Sequence, residues 1–370
     1  MKNSVVRFNN ASNVEFIKAL RTNVNQYFVN NNISKYGNLN MALKTSFMIL
    51  LYFTPLIVLL SGTVESIGIN YLLWFLMSLG MSGIGLSVMH DANHGAYSKN
   101  KHINSAMGFI VNFLGAYHIN WKIQHNVLHH SFTNIDGFDE DIDVPVMRFS
   151  PNQEHKRAFK FQAFYAPLFY GLLTIFWVIG KDVDQLIRYN KRKLLKSQKK
   201  TFARALTEIV IYKTLYIILT LVLPILVLNI PTIHVVFGFL LMHFICGLIL
   251  ALIFQAAHVL EETDFYEPDS KGSVDNNWAI HQLRTTANFA NGGRVFSWLI
   301  GGLNFQIEHH LFPHVCHVHY NTISKIVEST AKTYNIPYHK HKTFIGALKS
   351  HFSLLNRLGK NEIFPKPSAL

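Results

Sequence analysis

The sequence predicts an all-α integral membrane protein, with about four transmembrane helices, interfacial helices between them, and a cytoplasmic helical cap that holds a metal site. Three observations carry this reading. Of 370 residues, 49% are hydrophobic and only 15% are charged. Two long apolar runs, 66–89 and 214–260, contain no Asp, Glu, Lys or Arg. Histidines then gather at the ends of such runs, at His90 and His94, at His125, His129 and His130, at His258, and at His309 and His310.

Residues 1–41 are polar, and the amphipathic stretch 14–29 reads as an interfacial or cytoplasmic helix. The first span is expected at 42–60 and the second at 67–89. The 24 residues of 66–89 would rise about 36 Å as a helix, enough to cross a bilayer core. The hairpin between these spans, SGTVES, has no Lys or Arg. The third and fourth spans are expected at 214–228 and 233–257, around the turn at Pro231. In contrast, 181–204 carries nine Lys and Arg, which assigns it and the N-terminus to the cytoplasm. Two further apolar stretches, 103–121 and 161–180, are long enough to be spans. Were 103–121 to cross, the histidines at 125–130 would face the opposite side from His90 and His94. Both stretches are therefore read as interfacial or re-entrant. The expected partition is an N-terminal segment 1–41, a membrane domain 42–330 and a cytoplasmic tail 331–370.

The net charge is +13. The cations flank apolar runs, a pattern of membrane topology, and no nucleic-acid partner is expected. Cys246 and Cys316 form neither a CxxC pair nor a disulfide framework and read as buried thiols. The polar start MKNSVVRFNNASN lacks the apolar core of a cleaved signal peptide.

The histidines read H90-DAN-H94, H125-NVL-H129-H130 and Q306-IE-H309-H310, with His258 ending an apolar run. Residues four apart share one helix face. Neutral imidazole binds iron, zinc, copper or nickel. The supply exceeds one tetrahedral zinc site, and no HExxH is present. Eight imidazoles divided between two ions leave about four for each, with open positions for oxygen or water. Two irons suit dioxygen, whose reduction to water takes four electrons. The alternative from another class is a metal transporter or sensor. It would line the membrane interior with ionisable groups, where only His234 and His243 lie within the fourth span.

HDANH, HNVLHH and QIEHH resemble the three histidine boxes of the integral-membrane fatty acid desaturases. The flanking GGLNFQIEHHLFPH and TNIDGFDEDI are similar too, and the resemblance runs from about Ala42 to about Tyr320. It implies that His90, His94, His125, His129, His130, His309 and His310 are iron ligands, with His258 as a further one. No catalytic residue separate from the ligands is implied. Gln306, where many desaturases have histidine, is similar to the front-end, linoleoyl-CoA desaturase-like subgroup. It is a lesser ligand candidate, through its amide oxygen or an oriented water. In other desaturases an Asn one turn before the His258 position reaches the metal through water. Here Phe254 stands there, and Gln255 beside it would take over. Supporting roles around the ligands fall to Asp91, Asp139, Asp143, Gln255, Glu308 and His314, and His281 is a further orienting candidate.

The implied activity is oxygen-dependent desaturation of a fatty acyl substrate, on CoA or on a lipid. Its cofactors are two iron ions, with O2 as co-substrate. Two electrons per double bond must come from outside, since no heme-binding HPGG segment and no dinucleotide-binding glycine fingerprint are present. A separate ferredoxin or cytochrome b5 is therefore the expected donor, and the basic 181–204 segment would dock it. A membrane hydroxylase or ketolase, which adds oxygen at the same kind of site, is the nearer alternative.

Overall fold

The computed structural model of the chain describes residues 6–9 and 11–364, so parts of the expected N-terminal segment and tail (1–5, 10 and 365–370) lie outside the described residues. Among the described residues, four helices are long and apolar enough to cross a membrane: Leu39–Leu60, Ile67–Asn93, Phe202–Val227 and Thr232–His258. The chain folds as two compact units interleaved in sequence. One comprises Leu39–Ile123 and Pro167–Ala251; the other comprises Met1–Asn38, Gln124–Ala166 and Leu252–Leu370.

The first unit carries the spans. Ser66 caps the second span, its hydroxyl accepting from the Ile69 N–H at 3.4 Å. The first and second spans pack backbone to backbone at Gly80, where an added Cβ would lie 2.5 Å from the Tyr52 nitrogen. Small residues permit such approach between membrane helices. The second span is the innermost, with 67% of its apolar window buried, and the third is the most peripheral, with 22%.

Polar groups inside this unit are paired. The Trp74 indole donates to Asn70 at 3.1 Å, and Asn70 donates to the His234 carbonyl at 3.1 Å. His243 meets the Tyr216 hydroxyl at 2.8 Å and the Thr174 hydroxyl at 3.0 Å. His243 is thus a hydrogen-bonded core residue, and half-buried His234 meets the Tyr71 hydroxyl at 3.0 Å, so neither lines an open path of the kind a transporter would need.

The third span begins at Phe202, twelve residues before the expected start at Thr214. The charge-free window missed this turn because its charges are paired. Glu208 takes Lys200 at 2.5 Å, Arg204 at 3.1 Å and the Tyr117 hydroxyl at 2.6 Å. Lys213 reaches the buried Asp182 carboxylate at 2.7 Å. The basic 181–204 stretch, expected as a loop, is helical over Asp182–Lys191 and forms a short 3-10 turn over Leu194–Gln198.

Neither ambiguous apolar stretch is a straight span. The 103–121 region breaks into Lys101–Phe109, Ile110–Leu114 and His118–Lys122, with Gly115 at φ 87 between the last two. The other joins Arg157–Gly171 to Leu173–Lys191 with a bend of 56°, the geometry of a broken span or a re-entrant loop. Pro167 and Gly171 precede the bend.

The second unit is also helical, with two small parallel strand pairs, Arg7–Phe8 with Ser273–Val274 and Ala287–Phe289 with His339–His341. The N-terminal helix Val14–Asn30 does not keep its apolar face for a lipid surface. Phe16, Leu20 and Val24 are buried in one core with Ile323, Val327 and Ala331 of the helix Tyr320–Thr333. Beyond 330 the described chain is folded rather than tail-like, for helix Phe344–Gly359 buries Leu354, Leu355 and Leu358. Arg148 fastens its end, donating to the Leu358 carbonyl at 3.2 Å and to Asn361 at 2.8 Å.

Gly80→Ala is expected to lower stability by about 1–3 kcal/mol, because the Tyr52 backbone cannot give way. Thermal unfolding of the detergent-solubilised protein checks this against Gly85→Ala, whose Cβ would meet only Leu250 at 3.5 Å. Equal melting of the two variants would sink the claim.

Candidate metal centre

The second histidine cluster rides one helical rod. Helix His118–Lys122 continues through a π turn, Ile123–His129, into His130–Phe132. In an α-helix, residues five apart diverge by well over a right angle; the wider π turn narrows that angle. His125, His129 and His130 therefore lie together, with the His125 and His129 rings stacked at 5.4 Å and His130 edge-on to His125 at 4.7 Å. Such π bulges recur at functional sites.

His258, at the end of the fourth span, lies 4.7 Å from His129, ring to ring. The third cluster is on the short buried helix Gln306–Leu311. His310 stacks on His130 at 4.3 Å and lies 4.7 Å from His258. His309 brings Nε2 to 2.8 Å from His130 Nε2, and His125 Nε2 is 3.2 Å from that same atom. All six of these imidazoles are buried.

The outer nitrogens of four of these rings, those of His129, His258, His309 and His310, are held. His129 Nδ1 donates to Asp139 at 3.1 Å, and Asp141 lies 3.4 Å away. His258 Nδ1 donates to the Thr285 carbonyl at 3.3 Å. His310 Nδ1 donates to Gln282 Oε1 at 2.8 Å, and His309 Nδ1 meets the Tyr320 hydroxyl at 3.3 Å. The inner nitrogens face one another instead, and His129 Nε2 and His258 Nε2 are buried with no hydrogen-bond partner. Ligand atoms of His129, His258 and His310 fall within 4.8 Å of one another, as do those of His130, His309 and His310. Neutral imidazole nitrogens cannot satisfy each other this way, whereas a cation accepts every lone pair at once. The donor set thus fits a transition metal bound by imidazole with an ordered outer layer.

Charge reinforces this. Burial disfavours the protonated His129, but the Asp139 and Asp141 carboxylates outweigh it and raise it to about 9. Asp139, itself fully buried, is held ionised by His129 and by the Asn134 and Asp141 N–H groups at 2.9 and 3.0 Å.

His90 and His94, in the unit of the spans, follow another π turn, Ile84–Val88, at the end of the second span. Their rings lie 4.9 Å apart, both edge-on to Trp121 at 5.6 and 6.0 Å. Asp91 lies 3.8 Å from His90 Nδ1.

The expected supporting residues divide. Asp139 touches a histidine of the cluster. Asp143 is exposed, and its neighbour Asp141 lies beside His129 in its place. His314 is exposed as well. Glu308 is fully buried and bonded to Asn288 at 2.8 Å and Tyr338 at 3.0 Å, which ties the third-cluster helix to the strand Ala287–Phe289; burial raises its carboxyl to about 7. Gln306 is fully buried within electrostatic reach of His258, with neither amide atom in hydrogen-bond geometry. The Phe254 ring lies against His125 at 6.0 Å, while Gln255 is half-buried. His281 bonds the Thr133 carbonyl at 2.7 Å, and burial lowers its pKa to about 4.

Sequence reasoning missed Gln282, Thr133 and Tyr320. The signal for the first was present. Trp278, His281, Gln282 and Thr285 stand at helical spacing in one short helix, a polar stripe without a solvent face.

A family model described as fatty acid desaturase matches residues 69–342. The chain is 34% identical to the sn-1 linoleoyl-lipid 6-desaturase of Synechocystis sp., over 93% of this chain and 96% of that one. It is 32% identical to the enzyme of that name from Arthrospira platensis, covering 94% of each. An acyl-lipid (8-3)-desaturase from Physcomitrium patens is 34% identical over 98% of this chain and 75% of its own length. A membrane-helical fold with buried imidazole clusters defines the class, and these matches define the family: the chain belongs to the fatty acid desaturases. It is an oxidoreductase that desaturates fatty acyl chains.

Asp139→Asn removes the charge behind His129 while keeping its shape. Losing such an outer partner typically costs about 10–100-fold in metal affinity. Iron content of the purified variant, titrated against a chelator, is expected to fall accordingly. Metal retention equal to the parent would contradict the assignment.

Proposed function

We propose that the chain desaturates an acyl group carried on a membrane lipid, using two iron ions and dioxygen, and sets the new double bond on the carboxyl side of an existing one. The observation that carries the metal reading is the pair of buried, unbonded Nε2 atoms of His129 and His258, two rings whose Nδ1 atoms are held from outside. The proposed ligands are His90, His94, His125, His129, His130, His258, His309 and His310, with Gln306 as an added amide donor. The names of the relatives support a lipid-borne acyl chain. Gln306 in the third box supports the position of the bond.

The protein's own groups act by orientation. Asp139 and the Thr285 carbonyl hold the Nδ1 protons of His129 and His258, which leaves each Nε2 lone pair directed inward. Gln282 does the same for His310 and, through its amide N–H, ties the His130 carbonyl at 3.3 Å. Burial of the imidazoles excludes bulk water. Bound iron would supply oxygen activation and electron storage.

One saturated carbon–carbon pair loses two hydrogens, and dioxygen takes them with two electrons and two protons to give two waters. The electrons come from a separate carrier protein of ferredoxin or cytochrome b5 type. The cationic 181–204 stretch supports a cytoplasmic face for the site in a bilayer-embedded protein. The domain that carries the chemistry is taken as 42–330.

Expression in a host of known lipid composition, followed by double-bond mapping, tests the reading. A new double bond nearer the carboxyl end is expected, and His129→Ala is expected to abolish it. A product heavier by one oxygen would replace desaturation with hydroxylation.

A further inference from the structure

The electron balance requires a one-electron carrier to meet this protein, and one cavity of the histidine-bearing unit is built to receive it. It has a volume of about 670 Å³ and lies between the N-terminal helix and the start of helix Trp278–Thr285. Ile17, Lys18, Arg21, Thr22, Asn277 and Trp278 line it. The helix spends its apolar side on the core, through Phe16, Leu20 and Val24, so Lys18, Arg21 and Thr22 remain exposed. The acids in the neighbouring sequence are Glu15, one turn before Lys18, and Asp275, which lies 3.4 Å from the Asn9 amide.

The floor of the cavity is the second observation. Trp278 is partly buried, and its indole N–H donates to the main-chain carbonyl of His130 at 3.2 Å. That carbonyl belongs to a residue whose imidazole lies 2.8 Å from His309 and stacks on His310. An aromatic ring at the surface is thus joined to the centre of the imidazole cluster by one hydrogen bond and one side chain. Packing on the core under the N-terminal helix seats the ring, and its hydrogen bond to the His130 carbonyl directs it at the cluster.

We propose that this cavity docks an acidic one-electron carrier protein and that the Trp278 indole is the point of electron entry. The step rests on the di-iron reading above. A reduced carrier gives up one electron and leaves oxidised; two such transfers, with two protons from solvent, complete the reduction of dioxygen that desaturation begins. Lys18 and Arg21 attract the carrier by charge, and Trp278 positions the path. The basic 181–204 stretch is the competing surface. Its cations are partly spent, since Arg188 pairs with Asp184, and Lys200 and Arg204 pair with Glu208.

The test uses the iron-loaded protein in detergent, with soluble cytochrome b5 and a plant-type ferredoxin as probes. At least one probe is expected to bind, with affinity falling as salt rises. Lys18→Glu with Arg21→Glu is expected to weaken that binding about tenfold or more, at unchanged iron content. Trp278→Phe is expected to bind as the parent does and to lose the rapid phase of carrier oxidation. A pre-reduced centre given oxygen should form product equally in the parent and in the Lys18 and Arg21 variant, which separates failure of electron entry from failure of the desaturase reading. The proposal is overturned if the parent binds neither probe. It is equally overturned if Lys193→Glu with Lys196→Glu removes binding while the Lys18 and Arg21 variant keeps it, or if Trp278→Phe retains the rapid phase.

Discussion

Buried imidazole nitrogens cannot be left facing one another unless something positive stands between them. In this protein that constraint organises a whole folding unit. Each imidazole has two nitrogens, and an outward partner for Nδ1 decides that Nε2 points in. The partners come from separate places in the chain: Asp139 in a loop, Gln282 and the Thr285 carbonyl on one short helix, and Tyr320 at the head of another. The two helices also share a hydrophobic core, through Ile280 and Leu283 on one side and Ile323 and Val327 on the other. Asn134, held at φ 54, shows how tight the arrangement is, for its N–H goes to Asp139 while its amide donates to the His258 carbonyl at 2.8 Å. One residue thereby couples an outer partner to a different ligand.

The span-bearing unit meets the same physics with the opposite solution. Within apolar helices a polar group must find its partner inside the protein. His243, Asn70 and Lys213 do so, and each pairing joins residues from different helices. These contacts specify which helix lies beside which, a choice that apolar side chains leave open in lipid. The buried Lys213 and Asp182 pair also reaches the Tyr117 N–H at 3.0 Å, at the start of the helix that continues into the second histidine cluster.

Much of this was legible beforehand, because hydropathy and histidine spacing are local signals. The second and fourth spans follow from windows that contain no charge, and the first from one with a single lysine, Lys44. The third was misjudged at its start because its first turns carry charge: Arg204 stays exposed and pairs one turn away with Glu208, while Glu208 and Lys213 are held by Tyr117 and Asp182, distant in sequence. The same limit hid the outer layer of the centre. Asp141 and Asp143 are indistinguishable in the sequence DEDID, and only folding turns the first toward His129 and the second to solvent. Gln282 and Thr133 sit more than a hundred residues apart and meet at 3.0 Å. The N-terminal helix was amphipathic in sequence, but periodicity cannot say whether lipid or protein covers its apolar side.

Phe254 and Gln306 stand near the histidine cluster on different elements. Phe254 puts a ring against His125, so the polar contact that an amide would make there is replaced by an aromatic wall. Gln306 returns an amide to the centre from another direction, on the helix that carries His309 and His310. That amide is fully buried, and neither its oxygen nor its nitrogen reaches a hydrogen-bond partner. An unsatisfied buried amide costs about 1–3 kcal/mol. Glu308, two residues on, has two donors. The glutamine oxygen is a harder donor than imidazole, and it is neutral. It stands on the same short helix as His309 and His310, which is why Gln306 is proposed as an added donor to the centre and not as a structural amide alone.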